Sequence, residues 1–100
     1  MQILAISKTN EGTTPDKVRP LMEAEVKHTL ESYLEGSIRN FWFKVGTRGV
    51  VFMLECANEE EAQAKLGELP LVKAGFLDFD LISLQPLTPL GTLIGLEMAP

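Results

Sequence analysis

Ile38-Arg39-Asn40-Phe41-Trp42-Phe43-Lys44-Val45, then Gly46-Thr47-Arg48-Gly49, then Val50-Val51-Phe52-Met53-Leu54-Glu55-Cys56, is the stretch that decides the fold. Five of the seven aromatic residues fall in it or at its edge, counting Tyr33, which concentrates strand-forming side chains in one place. β-branched and aromatic residues suit a pleated, half-buried surface, and glycines around a short polar turn mark a β-hairpin. With a turn at Gly46–Gly49, Val45 faces Val50, Phe43 faces Phe52, Phe41 faces Leu54 and Arg39 faces Cys56. That face is nearly all apolar and is expected in the core. The opposite face pairs Lys44 with Val51, Trp42 with Met53 and Asn40 with Glu55. A mixed face of this kind suits a subunit interface or the wall of a small-molecule pocket. A slip of one residue in register would exchange the two faces.

Working outward, Gln2 to Lys8 reads as a short, largely apolar strand. Thr14-Pro15-Asp16 is a helix start, with a capping hydroxyl, a proline in the first turn and an acid near the positive end. Pro20 is expected to kink it. Val18, Leu21, Met22, Val26, Thr29, Leu30, Tyr33 and Leu34 form one apolar stripe at helical spacing, with Glu25 on its flank and His28 away from it. Gly36 ends the helix. After the hairpin, Asn58 caps a second helix from Glu59 to Leu69. Its acids Glu59, Glu60 and Glu61 complement the helix dipole rather than mark a cation site. Pro70 stops it, 71–75 is a connector, and 76–84 is a strand with Leu77, Phe79 and Leu81 on one face.

The order strand, helix, strand, strand, helix, strand is the ferredoxin-like plan. Right-handed crossovers then place two helices on one face of a four-stranded antiparallel sheet, an α+β sandwich. The bare second face requires a cover, so a homodimer packed sheet to sheet into a barrel, or a larger homo-oligomer, is expected. Residues 1–85 form this domain. Residues 86–100 form an apolar arm, which continues a period of three that runs through Leu81, Leu84, Leu87, Leu90, Leu93 and Leu96. With Pro86 and Pro89 in the segment, that period suggests an extended polyproline II ridge packing on a neighbouring subunit.

Composition narrows the function. One hundred residues make one domain. A net charge of −5 with scattered basic residues argues against nucleic acid. No apolar run approaches the roughly 18 residues of a membrane span. The N-terminus lacks the pattern of a signal peptide, and the lone Cys56 forms no internal disulfide and fits a reducing cytoplasm. Nothing resembles a metal-ligand cluster, and no cofactor is expected.

Several short stretches, in order, resemble muconolactone isomerases of the dimeric α+β barrel superfamily. In that family the first helix carries a glutamate and ends in Glu-Gly. The next strand runs Arg-His-Leu-Trp-Arg before a Gly, and Leu-Pro-Leu precedes the last strand. Glu25, Glu35-Gly36, Arg39, Trp42, Gly46 and Leu69-Pro70-Leu71 occupy these positions, and the match from Leu21 to Leu71 needs no gap. Asn40 stands where the family has histidine, and Phe43 where it has a second arginine.

The resemblance implies a lactone-type isomerase, an intramolecular oxidoreductase working by cofactor-free proton transfer on a small anionic substrate. Such chemistry needs an acid/base group in a dry pocket. Glu25 is the candidate, with Arg39, Asn40, Trp42, Lys44 and Glu55 as candidate substrate contacts. The alternative is a non-catalytic small-ligand-binding or assembly module of the same superfamily, favoured by Asn40 and Phe43. Glu25 can reach only the helix-covered face, whereas Trp42, Asn40 and Glu55 fall on the other.

Overall fold

The computed structural model describes residues 1–95. Its strands are β1 (Gln2–Thr9), β2 (Ile38–Phe43), β3 (Val50–Glu55) and β4 (Leu77–Leu84). They form one sheet in the order β2-β3-β1-β4, with every neighbouring pair antiparallel. This is the expected α+β ferredoxin-like sandwich. The helices are α1 (Pro15–Val18), α2 (Met22–Glu35), α3 (Glu59–Gly67) and α4 (Pro70–Lys73). A 3-10 turn, Arg19–Leu21, joins α1 to α2 and carries Pro20, where the kink was expected.

Local signals act as their chemistry requires. The Asn58 side chain accepts the Glu61 N–H at 2.9 Å and caps α3. Gly36 ends α2 in the left-handed conformation, φ 99°. The expected connector at 71–75 is instead the single turn of α4, started by Pro70 in its first position.

Alternation along the strands sets the two sheet faces. Ile3, Ala5 and Ser7 of β1, Phe52 and Leu54 of β3, and Leu77 and Phe79 of β4 are buried under the helices. Ala62, Leu66, Leu69 and Leu71 close over them from α3 and α4. Phe52 and Phe79 stack with ring centres 5.6 Å apart. The face away from the helices carries Leu4, Ile6, Trp42, Val51, Met53, Ile82 and Leu84.

The hairpin keeps its expected faces but not its expected pairs. Phe43 lies opposite Val50, Phe41 opposite Phe52 and Trp42 opposite Val51. The connection is longer, with the Lys44 N–H bonded to the Gly49 carbonyl at 3.0 Å. From Asn40 to Phe43 the register therefore moves by two residues, which preserves the side-chain directions there. A bulge between Ile38 and Asn40 turns Arg39 out of the alternation.

Two expected core surfaces are not core. Met22, Val26, Leu30, Tyr33 and Leu34 of the α2 stripe are exposed, as are Phe41, Phe43 and Val45 of the hairpin. The two surfaces meet where Tyr33 packs edge-on against Phe41, but they do not bury each other. The residue of α2 that is buried is Glu25.

The arm also differs. Thr88–Ile94 is a 3-10 helix, not polyproline II. Both have three residues per turn, so both align Leu87, Leu90 and Leu93. Those leucines and Ile94 are exposed. Leu96, the last member of the ridge, lies outside the described residues.

Candidate functional site

Although α2 touches β2 where Tyr33 meets Phe41, a cavity of about 950 Å³ opens between them. Its apolar wall comes from Met22, Val26 and Leu30 of α2, Phe41 and Phe43 of β2, and Phe52 behind them. Tyr33 stands edge-on to Phe41 at a centroid distance of 5.4 Å. An apolar cleft with a few polar groups is the usual form of a small-molecule site.

Glu25 is the acid of this cavity. It is 8% exposed, and its Oε1 accepts the Leu71 N–H at 2.9 Å. That N–H lies in the first turn of α4, where backbone donors have no partner within the helix. Burial pushes the Glu25 carboxyl above its ordinary range, while the Leu71 N–H and the nearby His28 pull the other way. A carboxyl that holds its proton more tightly than usual is better suited to general acid/base work near neutral pH. His28, expected to be exposed, is half-buried, with its Nε2 3.6 Å from a Glu68 carboxylate oxygen.

The structure gathers part of the expected site. Glu25, Trp42 and Lys44 all line the cavity. The Cα register of Trp42 belongs to the far sheet face, but β2 is an edge strand, and Trp42 contributes to the cavity from that edge. Arg39, Asn40 and Glu55 are not among the lining residues. Arg39 sits at the bulge beside Gly36. Asn40 is opposite Met53. The Glu55 carboxylate meets the N-terminal ammonium at 2.9 Å, so the expected Asn40–Glu55 pairing is absent.

Several polar residues of the lining escaped the sequence reading, among them Ser7, Arg19 and Arg48. Ser7 carried a signal, since it continues the alternation of Ile3 and Ala5 and places a hydroxyl on the core-facing side of β1. Arg48 lies between two glycines in the hairpin connection, where a cation reads as ordinary turn composition.

No protein-family model matches the chain, and no curated protein matches it in sequence. Solved structures do match. One is 5-chloro-2-hydroxyhydroquinone dehydrochlorinase from Burkholderia phenoliruptrix in complex with 2,5-dihydroxybenzoquinone. It superposes with TM-score 0.70 at 16% identity over 85% of this chain and 94% of that one. Another is a muconolactone isomerase, with TM-score 0.69 at 21% identity over 87% of this chain and 93% of that one. The chain therefore has the fold of these two enzymes, one an isomerase and one a dehydrochlorinase by name.

Proposed function

We propose that this chain is a cofactor-free enzyme that moves a proton on a small, partly apolar, anionic molecule, with Glu25 as the acid/base group. The lead reading is a lactone-type isomerase similar to muconolactone isomerase. The observation that carries it is Glu25 itself, a desolvated carboxyl at the wall of an open apolar cavity. Both enzymes of like fold bear names of reactions on small organic molecules, which supports the substrate class.

In this reading the substrate enters between α2 and β2 and its apolar part lies on Phe41, Phe43 and Val26. The deprotonated Glu25 takes a proton from the carbon beside a carbonyl and returns it elsewhere on the same molecule. The Leu71 N–H holds the Glu25 carboxyl in place through both steps. Trp42 and Lys44 are substrate contacts, whereas Arg39, Asn40 and Glu55, which do not line the cavity, keep that role only with a partner subunit.

The test is a screen of small carboxylated lactones for isomerisation, followed by Glu25→Gln. Gln keeps an oxygen for the Leu71 N–H but cannot carry the proton, so the rate is expected to fall roughly 10²–10⁴-fold. An active lactone whose rate survives the change overturns the mechanism. A second reading, a non-catalytic ligand-binding module, is favoured by Asn40 and Phe43, which offer neither imidazole nor guanidinium.

The apolar sheet face and the exposed leucines of Thr88–Ile94 support a homo-oligomer, sheet to sheet, with the arm of 86–100 on a neighbour. Light scattering on a chain ending at Pro86 is expected to show a smaller assembly. An unchanged size contradicts a role for the arm. A cytoplasmic setting is part of the same reading. Among the described residues no helix is long and apolar enough to cross a membrane.

A further inference from the structure

The charged lining of the cavity is one-sided. Besides Glu25 it holds Arg19, Lys44 and Arg48 and no further carboxylate, in a chain of net charge −5. Arg19 is paired with Asp16 at 3.1 Å and is largely exposed. Lys44 and Arg48 belong to the loop between β2 and β3, and among the described residues neither meets a carboxylate within ion-pair distance.

One residue fastens this loop to the cavity wall. Ser7 is 1% exposed. Its backbone carbonyl accepts a hydrogen bond from Lys44 Nζ, and its hydroxyl oxygen accepts the Val50 N–H at 2.8 Å. Gly49 passes directly over it at φ 128°, where a Cβ would stand 2.5 Å from Ser7 Oγ. Only glycine fits there, on conformation and on space alike. A buried hydroxyl is costly unless its hydrogen bonds are made. Ser7 uses its oxygen, but its hydrogen has no acceptor among the described residues, and Ser7 lines the cavity.

We infer that the loop from Lys44 to Gly49 is the anion-receiving end of the cavity. Lys44 and Arg48 bind the carboxylate of the ligand, and Ser7 is the positioning residue that holds them over it and adds its own O–H. The inference rests on the reading of the cavity as a small-molecule site, but not on catalysis by Glu25. Of the basic residues expected to contact substrate, it keeps Lys44, leaves out Arg39 and adds Arg48.

Fluorescence titration of the full chain with two probes tests it. 1-Anilinonaphthalene-8-sulfonate is apolar and anionic, and N-phenyl-1-naphthylamine is its uncharged counterpart. The double variant Lys44→Gln/Arg48→Gln is expected to bind the sulfonate roughly tenfold more weakly, with the neutral probe unchanged. Ser7→Ala and Gly49→Ala are expected to lose about threefold in the same selective way. A merely structural role for Ser7 would weaken both probes together.

Equal losses for both probes, no loss, or no sulfonate binding by the unaltered chain overturn the inference. If Ser7→Ala does not fold, the loop double variant, which changes a half-buried Lys44 and an exposed Arg48, decides. Glu25→Gln is expected to keep the selectivity for the sulfonate. Selective binding without any turnover contradicts catalysis by Glu25 alone, whereas turnover without selectivity contradicts the anion site alone.

Discussion

The two halves of this sandwich solve the same packing problem differently. On the β4 side, α3 and α4 settle onto the sheet and bury Ala62, Leu66, Leu69, Leu71, Leu77 and Phe79. On the β2 side, α2 stands off, and Met22, Val26, Leu30, Phe41 and Phe43 remain exposed around a cavity. The difference teaches that one half supplies stability and the other supplies a space, and that Glu25 sits at the seam, bonded across to α4 through Leu71.

The largest expected contrast is in stability. Leu69→Ala in the closed half removes a side chain that is 2% exposed and is expected to cost about 3 kcal/mol. Leu30→Ala in the open half, 53% exposed, is expected to cost no more than about 1 kcal/mol. Urea denaturation of both variants measures this, and equal costs would erase the distinction between the halves.

Phe41→Ala sharpens it. Loss of the edge-on contact with Tyr33 is expected to cost about 1 kcal/mol. Binding of an uncharged apolar probe should weaken severalfold, whereas Leu69→Ala should leave that binding intact in the folded fraction.

The smallest effect is the pH dependence of stability at the seam. The Glu25 carboxyl is raised above its ordinary value of 4.5, so the folded state prefers it protonated. Its contribution is fully present below the unfolded value and is lost as pH rises through the folded one. Glu25→Gln lacks this loss. The stability of the Gln variant relative to the unaltered chain is therefore expected to increase from acid to neutral pH. Thermal melts across that range measure it, and a gap that stays constant or shrinks shows that burial does not raise the carboxyl.

How much of this was legible follows from what periodicity encodes. The alternation of Leu77, Phe79 and Leu81, the Asn58 cap and the Gly36 stop are local, and the element order they delimit carries the fold. The hairpin faces survived an error of two in register because strands repeat every two residues. Leu87, Leu90 and Leu93 share a side, but a period of three does not distinguish a 3-10 helix from polyproline II. The cavity was hidden for a different reason. Spacing shows that Val26 and Leu30 share a face, and that Phe41 and Phe43 share another. It does not show whether the two faces meet. Glu25 is singled out by its place beside the stripe and by the family resemblance, and the structure puts it in the cavity lining. Ser7 and Arg48 line the cavity only because the loop folds back on β1, a contact between residues more than forty positions apart in the case of Ser7 and Val50.

Proton transfer itself tests the central claim most directly. Muconolactone and related carboxylated lactones, incubated with the protein in heavy water, can be followed by proton NMR at the carbon beside the carbonyl. The unaltered chain is expected to exchange that hydrogen for deuterium on at least one of them, and Glu25→Gln is expected to slow the exchange by roughly 10² or more. Exchange that proceeds equally in both proteins would contradict Glu25 as the group that carries the proton.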